Sequence, residues 1–239
     1  MTISILIKVS KKIAIVQSNY IPWKGYFDLI AHVDEFIIFD EVQFTKRDWR
    51  NRNKVKTPQD LLWLTIPVLT KSNFLQKISE TKINGDLWKK KHWNALRVNY
   101  QKARFFNEIS GLLADFYQTR EFDFLSDANR YLIDLICGFL DIRTKISSSA
   151  ELNLPEDKNE RLISMCKQVK ADVYLSGRSA QGYIDLDKFS NAGIAIEWFD
   201  YDDYPEYDQL WGRFVHEVSI LDLLFNCGKH STSFMKFAH

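Results

Sequence analysis

A chain of 239 residues, 46% of them hydrophobic, can bury a sizeable core as one large domain or two small ones. Its 32 Lys+Arg against 31 Asp+Glu give a net charge of +1, which leaves no global basic field to hold a nucleic-acid backbone non-specifically. Cys137, Cys166 and Cys227 are far apart and form no CxxC pair, so a disulfide scaffold is excluded and a reducing, cytoplasmic setting is expected.

Residues 1–11 are too short for a membrane span and lack a signal-peptide cleavage pattern; they read as an N-terminal extension, floppy or edge-strand. A single α/β domain over 12–239, with a helical region around 86–140, is expected to follow. No apolar stretch of about 18 residues occurs, so no transmembrane helix is predicted.

Lys12–Gln17 reads as a buried strand stopped by Ser18-Asn19 and Pro22. A helical stripe over Gly25–Val33 and an apolar run at Glu35–Phe39 then predict strand, helix, strand, which implies a parallel pair. Leu61–Val68 is a further strand with Pro67 at an edge or end, and Asn73–Asn84 a loop plus short strand. Helical spacing predicts two helices between Asp86 and Tyr117 and a third over Asp123–Gly138, which Gly138 ends or bends. Strands at Thr144–Ser149, Asp172–Ser176 and Ile194–Phe199 alternate with a helix at Lys158–Val169, and Val218–Asn226 is a short apolar helix. The alternation predicts an α/β fold with a mostly parallel central sheet and flanking helices, a Rossmann or nucleotidylyltransferase-like layout with helical additions.

Chemistry concentrates after the first two strands, at the edge where open parallel sheets bind ligands. Asn19-Tyr-Ile-Pro-Trp-Lys-Gly-Tyr26 reads equally as an anion-holding turn at a helix start or as a tight turn that needs Pro22 and Gly25. Asp40 and Glu41 suit a metal ion or a base acting on an amine, although capping is the commoner fate of an acidic pair. Lys46-Arg-Asp-Trp-Arg-Asn-Arg-Asn53 is either a solvated loop or a phosphate site; the interleaved Trp49 and two asparagines favour ligand contact. Ser176-Gly-Arg-Ser179, directly after a strand, resembles an anion nest without being a Walker loop. Seven tryptophans suit a Trp-rich core, a pocket for sugar rings, or both.

The candidate binding set is therefore Gln17, Asn19, Tyr20, Trp23, Lys24, Gly25, Tyr26, Gln43, Lys46, Arg47, Trp49, Arg50, Asn51, Arg52 and Asn53, with Ser176, Gly177, Arg178 and Ser179. Asp40, Glu41 and His216 are the acid/base candidates, with Asp222 alongside His216. Neither the histidines nor the cysteines have metal-ligand spacing, so no metal is expected.

Gln17-Ser-Asn-Tyr-Ile-Pro-Trp-Lys-Gly-Tyr-Phe, Phe39-Asp-Glu-Val-Gln-Phe with Arg50-Asn-Arg-Asn, Trp63-Leu-Thr-Ile-Pro-Val, Tyr174-Leu-Ser-Gly-Arg-Ser-Ala and Ser219-Ile-Leu-Asp-Leu-Leu-Phe-Asn-Cys-Gly resemble the WbqC-like family. The resemblance runs from about residue 12 to 230. Members occur in bacterial gene clusters for O-antigen and other surface polysaccharides, and some carry the label glycine transferase. The layout around Trp23-Lys-Gly-Tyr26 is also faintly similar to pantothenate synthetase and related nucleotidylyltransferases, but Trp23 and Tyr26 stand where those enzymes carry His-x-Gly-His. That similarity implies a second phosphate contact at Ser176–Ser179, across from the Gly25 turn, while removing the groups that steady a transferring phosphoryl.

These resemblances imply a cytoplasmic transferase of lipopolysaccharide O-antigen biosynthesis that joins an aminoacyl (glycyl) or acyl group to the amine of a nucleotide-linked amino sugar. ATP with a free amino acid, a carrier thioester or an aminoacyl-tRNA are open as donor; no nucleic-acid partner is expected otherwise, and oligomeric state is open. The alternatives are a non-catalytic sugar-nucleotide-binding protein and a nucleotidylyltransferase-like enzyme lacking the two motif histidines.

Overall fold

The computed structural model describes residues 10–71 and 75–238. The extension expected over residues 1–11 falls outside them for residues 1–9, as do residue 72, residues 73 and 74 of the expected loop and strand at 73–84, and residue 239. In chain order the elements are β1 (Lys12–Val16), α1 (Lys24–Ala31), β2 (Glu35–Ile38), β3 (Arg52–Lys56), β4 (Leu61–Thr65), α2 (Leu87–Tyr100), α3 (Phe106–Gln118) and α4 (Leu125–Phe139). They continue with β5 (Lys145–Ser148), α5 (Lys158–Gln168), β6 (Val173–Gly177), α6 (Leu186–Asn191), β7 (Ala195–Phe199) and α7 (Ile220–Cys227). Among the described residues no helix is long and apolar enough to cross a membrane.

The chain divides into two compact units. One comprises residues 10–16, Val33–Ile38 and Thr144–Asp200 and holds a five-stranded sheet in the order β5-β2-β1-β6-β7, parallel throughout. The fold is thus α/β, with a parallel central sheet and flanking helices. Ile13 and Ala14 on β1 and Phe36 and Ile37 on β2 are fully buried, as expected for central strands of a parallel sheet. Glu35 is buried too, and its carboxylate is held by Lys11 at 2.7 Å, Lys145 at 3.0 Å and the Ser147 hydroxyl at 2.7 Å. Phe189 of α6 stacks on Tyr174 of β6 with ring centroids 5.8 Å apart. The strand order reverses direction between β1 and β6, the topological switch point of this architecture.

The other unit comprises Gln17–His32, Phe39–Arg143 and residues 201–238. It contains α1 to α4, α7 and the antiparallel β3–β4 pair, with register Arg52↔Thr65 through Lys56↔Leu61. Leu96, Tyr100, Ile109, Phe116, Leu132 and Phe225 are fully buried in it, and Tyr100 of α2 stacks on Phe225 of α7 at 4.7 Å. Two elements go beyond those expected from the sequence: β3, whose start lies in the basic run, and the six-residue α6. Gly138 does not end α4, which runs on to Phe139. In place of a strand, the described part of 73–84 makes isolated bridges, Gln43↔Lys77, Val68↔Ile83 and Lys82↔Phe124.

Candidate functional site

The chain leaves β1 at Val16 and turns sharply. Ile21, fully buried and β-branched, adopts φ 38°, a left-handed conformation that costs on the order of 1–3 kcal/mol and needs support from its surroundings. Asn53 of β3 supplies it: its side-chain amide donates to the carbonyl of Ile21 at 2.9 Å and of Tyr20 at 3.3 Å. The Tyr20 amide donates to the Trp49 carbonyl at 3.1 Å, and the Arg50 guanidinium donates to the Asn19 side-chain oxygen. The two early loops therefore converge.

The start of α7 closes the third side. The Ser219 amide donates to the Lys54 carbonyl and the Ile220 amide to the Pro22 carbonyl, both at 2.8 Å, which ties the segment before α7 to β3 and to the strained turn. Between them lies a cavity of about 380 Å³ lined by Asn19, Pro22, Trp23, Trp49, Asn53 and Glu217. Trp23 rests over Gly25 and contacts the Tyr201 and Tyr204 rings, each at 5.5 Å. Trp49 lies 5.4 Å from Trp63, whose other neighbours are the Arg52 guanidinium at 4.1 Å and Lys54 Nζ at 5.6 Å. Lys54 also pairs with Glu217 at 3.3 Å. Two indoles, two amides and a carboxylate thus face one hollow, a combination suited to a ring that bears hydroxyl and amino groups.

Of the expected binding residues, Asn19, Trp23, Trp49 and Asn53 meet at this cavity. Five others lie in the interior. The fully buried Tyr20 hydroxyl bonds His92 Nδ1 at 2.8 Å and the Tyr117 hydroxyl at 2.6 Å. Lys24 is buried, donates from Nζ to the Pro205 carbonyl at 2.7 Å and sits over the Tyr204 and Tyr207 rings; burial pulls its ammonium down to about 8 against the opposing charge of Asp28. Tyr26 donates to the Gln17 carbonyl at 3.1 Å. A Cβ at Gly25 would stand 2.4 Å from the Trp23 indole, so glycine is there for contact with Trp23. Asn51 is buried and donates to the Ile66 carbonyl at 2.8 Å.

Arg50 is half-buried and 3.6 Å from Asp48, while Arg52 sits over the Trp63 ring and donates to the Arg47 carbonyl. Arg47, at φ 61°, Lys46 and Gln43 are exposed. Ser176, Gly177, Arg178 and Ser179 belong to the sheet unit, at the carboxyl end of β6, where Arg178 pairs with Asp200 at 3.1 Å.

None of the acid/base candidates Asp40, Glu41, His216 and Asp222 lines the cavity. Asp40 is buried; Oδ1 accepts the Ser18 amide at 2.8 Å and Oδ2 has no hydrogen-bond partner. Burial raises its pKa, against the bonds from Ser18 and the charge of Arg50. Glu41 is ion-paired to Lys77 at 2.7 Å; burial pushes its pKa up, but the bonds from Lys77 and Ser79 prevail and hold it below the ordinary carboxylate range. His216 is exposed, edge-on to Phe214 at 4.6 Å. Its neighbour Glu217 reaches the hollow instead, and nothing in the sequence around it signals that role. No group of three or more His, Cys, Asp and Glu among the described residues is placed to hold a metal ion.

Residues 17–234 match the family described as the WbqC-like protein family. The uncharacterized protein Rv1507c of Mycobacterium tuberculosis (strain ATCC 25618 / H37Rv) is 52% identical over 227 residues, which cover 95% of this chain and 98% of that relative. No solved structure matches.

Proposed function

Because the chain belongs to the WbqC-like protein family, we propose that it is a cytoplasmic transferase of surface-polysaccharide assembly that joins a glycyl or other acyl group to the amine of a nucleotide-linked amino sugar. The observation that carries this reading is the single cavity shared by Trp23, Trp49, Asn19, Asn53 and Glu217. The indoles stack on the sugar ring, the Asn19 side-chain amide reads its hydroxyls, and Glu217 meets the amine, while Asn53 holds the turn beneath them. Arg47, Arg50 and Arg52 take the diphosphate, the bidentate chemistry to which guanidinium is suited. Asp40, with one oxygen unpartnered and its proton affinity raised by burial, is the residue proposed to take up the proton released as the amide forms. As the amide forms, the acyl carbon's bond to its activating group breaks and that group leaves: AMP where ATP activates a free amino acid, the carrier thiol of a thioester, or the ribose hydroxyl of an aminoacyl-tRNA.

One observation favours a second reading, a sugar-nucleotide-binding protein without turnover: neither Asp40 nor Glu41 lines the cavity. The nucleotidylyltransferase-like reading is the weaker one, since Tyr26 at one of the two histidine positions is buried. Incubating the protein with UDP- and dTDP-linked amino sugars, glycine and ATP, followed by mass spectrometry, separates the three. Addition of a glycyl mass supports the transferase. An unchanged sugar that binds with a measurable Kd supports the binding protein, and pyrophosphate release alone the nucleotidylyltransferase. In each sugar-binding case Trp49→Ala weakens binding by roughly tenfold or more; equal affinity in wild type and variant would remove the cavity from the account.

A further inference from the structure

The unit that holds the tryptophan-lined cavity has a second one, of about 470 Å³, and no residue lines both. Its floor is Phe105 just before α3, Leu210, Phe234 and the buried Cys227 that ends α7, with the side-chain amide of Asn226 among them. Its rim is different in kind. Lys102, Arg104 and His230 stand there against one carboxylate, Asp208, and all four are exposed.

Local structure explains the arrangement. In the turn from α2 to α3, Ala103 is buried and its amide donates to the Tyr100 carbonyl at 2.8 Å, so Lys102 and Arg104 on either side face out. The Phe105 amide donates to the Phe225 carbonyl at 3.1 Å, which seats the ring against α7. Gly228, at φ 55°, passes over that ring so closely that a Cβ would lie 2.4 Å from it. Arg104 lies 5.3 Å and the His230 ring 6.3 Å from the Phe105 centroid. Neither Lys102, Arg104 nor His230 has an ion-pair partner among the described residues.

We propose that this cavity binds a nucleoside monophosphate, with the phosphate held by Lys102, Arg104 and His230 and the base set against Phe105 and Phe234. The volume falls within the range of small-molecule sites and far exceeds what free phosphate would fill. Guanidinium and ammonium groups suit a phosphate, and aromatic rings suit a base. Asp208 accepts from the ribose hydroxyls. This inference does not depend on the transferase reading.

Isothermal titration of the full chain with AMP and UMP, and with inorganic phosphate and adenosine as partial probes, tests it. A mononucleotide is expected to bind at least about tenfold more tightly than either partial probe. The double variant Lys102→Ala/Arg104→Ala should lose roughly tenfold or more in mononucleotide affinity while keeping the adenosine affinity and the melting temperature of the wild type. Trp49→Ala should leave this binding untouched, so that failure here and failure of the tryptophan-lined cavity are separable. The proposal is overturned if no mononucleotide binds at roughly millimolar concentration, if the double variant binds it as the wild type does, or if inorganic phosphate binds as tightly as AMP.

Discussion

Gly25 and Trp23 must be read together. A methyl group at Gly25 would lie 2.4 Å from indole carbon Cζ2, well inside contact distance, so Gly25→Ala displaces Trp23 from the wall of the cavity. We expect a loss of about 1–3 kcal/mol in urea denaturation together with weaker ligand binding, since overcrowding a packed contact strains it. Gly85→Ala is the control. Its φ of 73° strains any side chain, yet nothing lies within 4 Å, so it should cost about 1 kcal/mol and leave binding unchanged. A Gly25→Ala variant with wild-type affinity would show that Trp23 does not shape the cavity. Which way each residue of Trp23-Lys-Gly-Tyr26 faces was not legible in the sequence. All four types suit a ligand, but every residue from Lys24 to Ile30 is buried, so amphipathic patterning gives no inward or outward cue.

At the scale of elements, apolar runs were readable and polar ones were not. The basic run 46–53 hid the start of β3, because Arg52, Lys54 and Lys56 alternate with Asn53 and Val55 at the period of a strand while composition suggests a solvated loop. The apolar helix α7 was visible, but not the purpose of the carboxylate within it. Asp222 is fully buried and accepts the hydroxyls of Tyr100 at 2.6 Å and Tyr207 at 2.8 Å; the Tyr100 oxygen in turn accepts the Lys56 amide at 3.0 Å. This one side chain joins α7, α2, β3 and the segment of Tyr207. Asp222→Ala orphans two buried hydroxyls, and about 2–4 kcal/mol should be lost in denaturant unfolding; a loss below about 1 kcal/mol would mean that water replaces the carboxylate. Asp28 of α1 plays a comparable part for the end of the chain. It accepts the amides of Lys236 at 2.8 Å, Phe237 at 2.6 Å and Ala238 at 3.1 Å, besides the Tyr204 hydroxyl. Asp28→Ala should accelerate amide hydrogen exchange at residues 236–238 far more than in α2 or α4; uniform acceleration would mean that it loosens the unit as a whole.

For the whole chain, the α/β class was legible because strand and helix alternation is carried by many segments at once, so errors of one or two residues at their ends do not alter it. The site was legible as segments and not as a constellation. Asn19, Trp23, Trp49 and Asn53 lie within 35 residues of one another, whereas Glu217 is brought to them from far along the chain by the main-chain bonds that Ser219 and Ile220 make and by its ion pair with Lys54. A single buried histidine also leaves a mark on the chain's global stability, and the sequence could not have shown it. His92 is buried against Tyr20, and that burial drags its pKa from 6.5 down to about 4, against a bond to the Thr65 backbone. Between those values the unfolded chain takes up a proton that the folded one refuses, so stability is complete above about pH 6.5 and falls as pH drops toward 4, by about 3 kcal/mol in all. Carboxylates titrate in the same range and tilt every curve, so the measurement is a difference. Urea midpoints of wild type and His92→Gln should diverge at neutral pH, where the variant is weaker, and draw together by about pH 4.5 as the histidine's contribution disappears. Curves that run parallel across the window would mean that His92 titrates alike in both states, and that its pairing with Tyr20 does not exclude the proton.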